Sequence, residues 1–170
     1  MLTMRRLFLI LLSLSLIGGA YAQGQKKSFM STDNYEIEVY GIAPDGFKNL
    51  FVWGYGKSVE KAVYNAKKNA VDAALFRTIP GHGDNLQLNT PAICGRKAKM
   101  QYSTFFEEFF KPGGEWISYV TLTTDGDPSG QNRLKVHGGY KVGIYVQIDY
   151  DALRNRMREE GLASGLNDIF

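Results

Sequence analysis

The sequence predicts an α+β fold: a single-domain, two-layer sandwich with an antiparallel sheet packed against helices, in the order β-β-α-α-β-β-α. Three observations predict it. Residues 59–75 carry Val59, Ala62, Val63, Ala66, Ala70, Ala73 and Ala74 at the three- and four-residue spacing of a half-buried helix. Residues 140–148 place Val142, Ile144, Val146 and Ile148 at every second position, which is a strand with one buried face. Paired strand signals stand before that helix and again near the C-terminus, with no internal repeat or low-complexity segment.

The first 22 residues read as a signal peptide. Arg5 and Arg6 precede an apolar run from Leu7 to Ile17, and Ala20-Tyr21-Ala22 supplies the small-x-small cleavage pattern. The run is short for a membrane span, and no lipobox cysteine follows it. Residues 23–33 form a polar leader, 34–162 the domain and 163–170 a weakly specified tail. Of 20 basic residues, 18 remain after cleavage against 17 acidic ones, so the exported chain is nearly neutral and has no electrostatic footprint for nucleic acid. Cys94 is the only cysteine, so packing alone must stabilise the fold.

In chain order, residues 35–41 alternate apolar and acidic side chains, and Pro44-Asp45-Gly46 signals a turn into a second strand over 48–55. The two can pair as a hairpin. Gly54 and Gly56 mark a tight strand-to-helix turn, with Ser58 as N-cap and Glu60 near the positive end of the helix dipole. Lys61, Lys67, Lys68 and Asp72 take the other helix face, where Lys68 and Asp72 can pair one turn apart. Pro80 and Gly81 stop this helix, and residues 81–97 read as a surface loop. Tyr102, Phe105, Phe106, Phe109 and Phe110 then repeat at helical spacing up to Pro112-Gly113-Gly114. Residues 115–124 read as a strand and 125–130 as a turn. Residues 134–150 read as one long strand bent at Gly138-Gly139. A final helix capped by Asp149 or Asp151 turns Leu153 and Met157 inward and ends at Gly161.

Three patterns invite a chemical reading. Gly56-Lys57-Ser58 has the end of a phosphate loop, but Phe51 stands where that motif needs its first glycine. Asp125, Asp127 and Ser129, followed by Gly130, match the first half of a calcium loop, so weak Ca²⁺ binding is the one cofactor expectation. Position twelve is Val136 where a bidentate Glu belongs, and a solvated hairpin turn accounts for the same residues. Cys94 can be a buried filler, an intermolecular bridge or a nucleophile, and burial is the usual state of a free cysteine. His82 and His137 match no catalytic spacing with it, and the chain is not expected to be an enzyme.

Two segments together resemble a known family. They are Gly54-x-Gly56-x-Ser58 followed by Ala62, Ala66 and Ala70, and the strand 140–148 running into a helix with Leu153, Met157 and Gly161. They look like the small envelope domain of the flagellar assembly protein T N-terminus and of related outer-membrane lipoproteins. The resemblance implies a non-catalytic periplasmic or outer-membrane role in assembling a surface machine. The partner would be an envelope protein or a second copy of the chain, with association at the outer membrane. The absent lipobox and the long segment 81–114 depart from the family pattern. That segment joins loop composition to aromatics, so Phe105, Phe109 and Cys94 are its candidate partner surface. The alternative is a periplasmic small-ligand or Ca²⁺-binding module.

Overall fold

The computed structural model describes residues 36–43 and 46–163. The expected signal peptide and leader, with residues 34–35, 44–45 and 164–170, lie outside the described residues.

Five strands form one antiparallel sheet: β1 (Ile37–Ile42), β2 (Phe47–Gly56), β3 (Val120–Leu122), β4 (Arg133–Val136) and β5 (Gly139–Asp149). The order is β1-β2-β5, with β3 and β4 sharing the far edge of β5. β3 pairs with Val146–Ile148 and β4 with Gly139–Val142, so the fourth position of the sheet is held by two short strands in line. Between them the backbone leaves the sheet, and the Thr124 hydroxyl accepts from the Tyr145 amide at 3.0 Å. The helices among the described residues are α1 (Val59–Phe76), α2 (Arg96–Gln101), α3 (Ser103–Phe109) and α4 (Tyr150–Glu159).

The α+β sandwich follows from the two periodicities. Ile37, Val39, Leu50, Val52, Val142, Ile144, Val146 and Ile148 all point to one face of the sheet and are buried. The alanine face of α1 lies on them. Gly54 and Gly56 bring the helix close, because a Cβ on either would stand under 2.6 Å from backbone atoms of α1. Ser58 caps α1 by accepting from the Lys61 amide at 3.2 Å, and Asp149 caps α4 by accepting from Ala152 at 2.9 Å. α4 ends in a Schellman turn. Gly161 has φ 69°, and the Leu162 amide donates to the Met157 carbonyl at 2.8 Å. Leu153 and Met157 are fully buried, as their spacing predicts.

The segments that differ from the sequence expectation do so for local reasons. Residues 115–119 form a 3₁₀ turn and not a strand, with Trp116 turned into the core. Glu115 anchors this turn to α4 through Arg156 at 2.7 Å and also accepts from the Tyr119 hydroxyl at 2.9 Å. Burial pulls the Glu115 carboxyl upward, but the bonds from Arg156 and Tyr119 outweigh it and hold the group below its ordinary range. The long strand expected over 134–150 is a hairpin. Gly138 has φ 80°, so His137-Gly138 closes a tight turn between β4 and β5 where a bulge was expected. The aromatic helix is present over Ser103–Phe109, and a further short helix, Arg96–Gln101, precedes it across a break at Tyr102. Residues 81–97 are not wholly a surface loop, because Thr90, Ile93 and Cys94 are buried and Ile79 exchanges backbone hydrogen bonds with Thr90. Asp72 is buried on α1 and pairs with Lys99 of α2 at 2.7 Å, so it ties two helices together, and it also attracts Lys68, the partner expected one turn away.

Candidate functional site

The residues singled out in the sequence do not form a common site. Phe109 is 3% exposed and Phe105 half-buried, so they make no exposed patch. α3 lies against α1 with Phe106, Phe109 and Phe110 inward, in a ring cluster with Phe76, Trp116 and Tyr119, while the Arg156 guanidinium covers Phe105. An aromatic stripe on a short helix has to find cover, and α1 supplies it.

Cys94 is buried too, with its amide donating to the Leu75 carbonyl at 2.8 Å at the end of α1. Burial pushes its thiol up to about 12, which favours the protonated form at neutral pH and agrees with a buried filler. Native protein should therefore react with a disulfide thiol reagent about a hundredfold more slowly than protein in denaturant, since attack needs local opening. Stoichiometric labelling of the native fold within minutes would contradict this placement.

Asp125, Asp127 and Ser129 are exposed in the excursion between β3 and β4, with Gly126 and Gly130 at φ 74° and 56°. A short 3₁₀ turn and β4 follow, and Val136 ends that strand. Among the described residues no three His, Cys, Asp or Glu side chains gather as a metal site. Gly56 and Ser58 serve the approach and capping of α1.

A different surface assembles on the outer face of the sheet, opposite the helices. In β2 the residues between the buried ones are Asn49, Phe51, Trp53 and Tyr55. Register sets Tyr145 of β5 and Glu38 of β1 beside Phe51, Gly143 beside Trp53, Lys141 beside Tyr55, and Gln147 beside Asn49. The β1 bulge between Val39 and Gly41 adds Tyr40. The rings form a row. Tyr40 lies 5.4 Å from Tyr145, Tyr145 4.8 Å from Phe51, and Phe51 5.6 Å from Trp53, centroid to centroid.

Gly143 makes the row possible. A Cβ there would stand 2.6 Å from the Phe51 ring and 3.3 Å from the Trp53 ring, so its absence leaves room for both rings, which meet edge-on at 84°. Tyr40 remains 51% exposed and Tyr145 37%.

Polar and charged side chains on this face meet one another. Lys141 Nζ is 2.7 Å from Glu36 and 4.5 Å above Trp53, and His82 Nδ1 stands 3.0 Å from Glu38. Burial works against the Lys141 ammonium, but its bonds to Glu36 and Tyr55 prevail and hold it above its ordinary range. The Gln147 amide donates to Asn49 Oδ1 at 3.2 Å, leaving the other polar atom of each available to a ligand. Beside the rings, Glu36, Glu38, Phe51, Trp53 and Arg77 help to line a groove of about 410 Å³. Apolar rings flanked by fixed amides and carboxylates can hold a ligand.

The sequence reading missed this face because it read 48–55 only as a strand. The available signal was aromatic residues at alternate positions 51, 53 and 55, interleaved with Leu50, Val52 and Gly54. No family model, no curated protein and no solved structure matches the chain.

Proposed function

We propose that the chain is an exported, non-catalytic binding or assembly module of a bacterial envelope, and that it binds through the open face of its sheet. One observation carries the reading: the row Tyr40-Tyr145-Phe51-Trp53 lies on a face that, among the described residues, no helix covers. A contiguous apolar surface of this kind on a water-soluble domain marks an interaction site. Export is supported by the pattern from Arg5 to Ala22. The envelope role is supported by the resemblance of the Gly54–Ala70 and Tyr140–Gly161 segments to the flagellar assembly protein T domain. Among the described residues no helix is long and apolar enough to cross a membrane.

The test is photocrosslinking in cells from benzoylphenylalanine placed at Tyr145, with Glu159 on α4 as the control position. The expected result is a discrete adduct in the envelope fraction from position 145 and none from 159. Recovery of the uncrosslinked chain from both positions would remove the proposal.

A further inference from the structure

A separate cavity lies at the end of the sheet, where the start of α1 meets the β4–β5 turn. We propose that it binds a small monocarboxylate with an apolar body of about six to eight carbons. This goes beyond the binding face proposed above and does not depend on it.

Two glycines make the space. Gly139 lies against the end of β2, where a Cβ would stand 2.2 Å from the Gly56 carbonyl oxygen. Gly138 has φ 80° and nothing within 4 Å of a Cβ, so the turn presents bare backbone to open space. Tyr140, half-buried on the cluster of Val59, Ala62 and Val142, forms one wall, and Tyr55 and Val136 form others. Asn65 fixes the helix side, because its Nδ2 donates to the Tyr55 carbonyl at 2.7 Å. Asn69 repeats this bond to Trp53 one turn on, at 3.2 Å. Both carbonyls lie beyond Val52, where pairing with β1 ends, so the two amides replace a missing strand partner. The enclosed volume is about 220 Å³ with mostly apolar walls. An apolar cavity of about 150 Å³ holds benzene, so there is room for one ring with a short arm or for a chain of about eight carbons. A nucleotide exceeds it.

Charge selects the head group. Lys57 and Lys61 line this cavity, and among its described lining residues there is no carboxylate. The clefts beside α3 and β1 mix signs instead, with Asp72 and Glu107 beside Lys68 and Lys99 in one, and Glu36 and Glu38 beside Arg77 in the other. Lys61 Nζ rests 4.4 Å above the Tyr64 ring, a contact that leaves N–H donors for an anion. Arg133 adds a third cation at this end of the sheet, 5.5 Å over Tyr140. The neighbouring carboxylates are engaged elsewhere, Glu36 by Lys141 and Glu60 by the Ser58 hydroxyl and the Arg133 charge. An acid with an apolar body meets both requirements. Its body displaces water from the apolar walls, and its carboxylate takes charge-assisted bonds from the lysines.

Octanoate is the probe, titrated into the purified chain and followed by calorimetry and two-dimensional amide NMR. One saturable site is expected, with shifts centred on Asn65, Gly138 and Gly139. Octanol keeps the body and acetate keeps the charge, and each should bind at least about tenfold more weakly. Replacing both lysines, Lys57→Gln with Lys61→Gln, should weaken octanoate by about tenfold or more. Both are exposed, so the double variant should keep the parent's urea midpoint, and Lys97→Gln, an exposed lysine of α2, should leave binding unchanged. Absence of saturable octanoate binding, equal affinity for octanol, or a double variant that binds like the parent overturns the inference. Attachment to phosphatidylglycerol vesicles that the double variant loses, without a response to free octanoate, assigns the lysines to a lipid surface and overturns it as well. The photocrosslink from position 145 bears on the open face alone, so the two proposals fail separately.

Discussion

Gly54→Ala should cost the domain at least about 3 kcal/mol, the upper part of the range for overpacking a well-filled interior. The added methyl would stand 2.3 Å from the Ala62 carbonyl oxygen and 2.5 Å from the Ala66 amide nitrogen. Both are backbone atoms in the middle of α1, so no side chain can rotate aside. The whole helix has to rise from β2, and it gives up its contact with Val52, Ile144 and Val146 as it does so. Domains of this size keep only about 5–15 kcal/mol of stability, so the variant should have lost a large share of it. Gly83→Ala is the matched control. Gly83 has φ 60° but nothing within 4 Å of a new Cβ, so only backbone strain of about 1 kcal/mol applies. Urea unfolding followed by circular dichroism separates the two cases. Equal midpoints for the two variants would show that α1 does not depend on close approach at Gly54.

Trp116→Ala should be about as severe, at roughly 3–5 kcal/mol, the cost of deleting a large buried aromatic. Trp116 is 1% exposed, meets Tyr64 edge-on at 5.3 Å, and donates from Nε1 to the Lys111 carbonyl at 3.2 Å. It sits where α1, α3 and the 115–119 turn converge, so the cavity left behind has walls from three elements that cannot all close in. Trp116→Phe keeps most of the ring and loses the hydrogen bond, and should cost about 1–2 kcal/mol. Thermal melts of the two variants give the comparison. A Trp116→Ala melt within a few degrees of the parent would place this side chain at the periphery of the core.

What could be read in advance divides along periodicity. α1, α4 and the inner face of β5 announce themselves because one side of each is buried, and burial imprints a period on the sequence. Leu153 and Met157 are visible for that reason. Residues 115–124 misled because Trp116, Ser118, Val120 and Leu122 alternate as a strand would, while a 3₁₀ turn buries Trp116 by a route that leaves the same imprint. Gly138-Gly139 is compatible with a bulge or a tight turn, and only pairing with Arg133–Val136 decides between them. The outer face escaped notice for a reason of register. Phe51 and Trp53 look like ordinary core residues within their own strand. They become an outer surface when β5 leaves room for them at Gly143 and β1 contributes Tyr40 through its bulge. Neither event leaves a local mark. The aromatic stripe at 102–110 drew attention precisely because it is periodic, and periodic burial is what removes Phe109 from any surface.

The pairing of β2 with β5 has a consequence for the order in which the molecule can form. These two central strands bond Phe47 to Asp149 and Gly56 to Tyr140, joining the two ends of the domain. The β1–β2 and β4–β5 hairpins are local and can close early, but the pair that unites them must wait until nearly the whole domain is available. Until then α1 has only half of its sheet to lie on. A nascent chain would hold the β2 edge open and the underside of the helix wet. The last strand therefore acts as a latch on the whole structure. Truncation before residue 139 should yield a chain that binds chaperones or aggregates, and no smaller folded core.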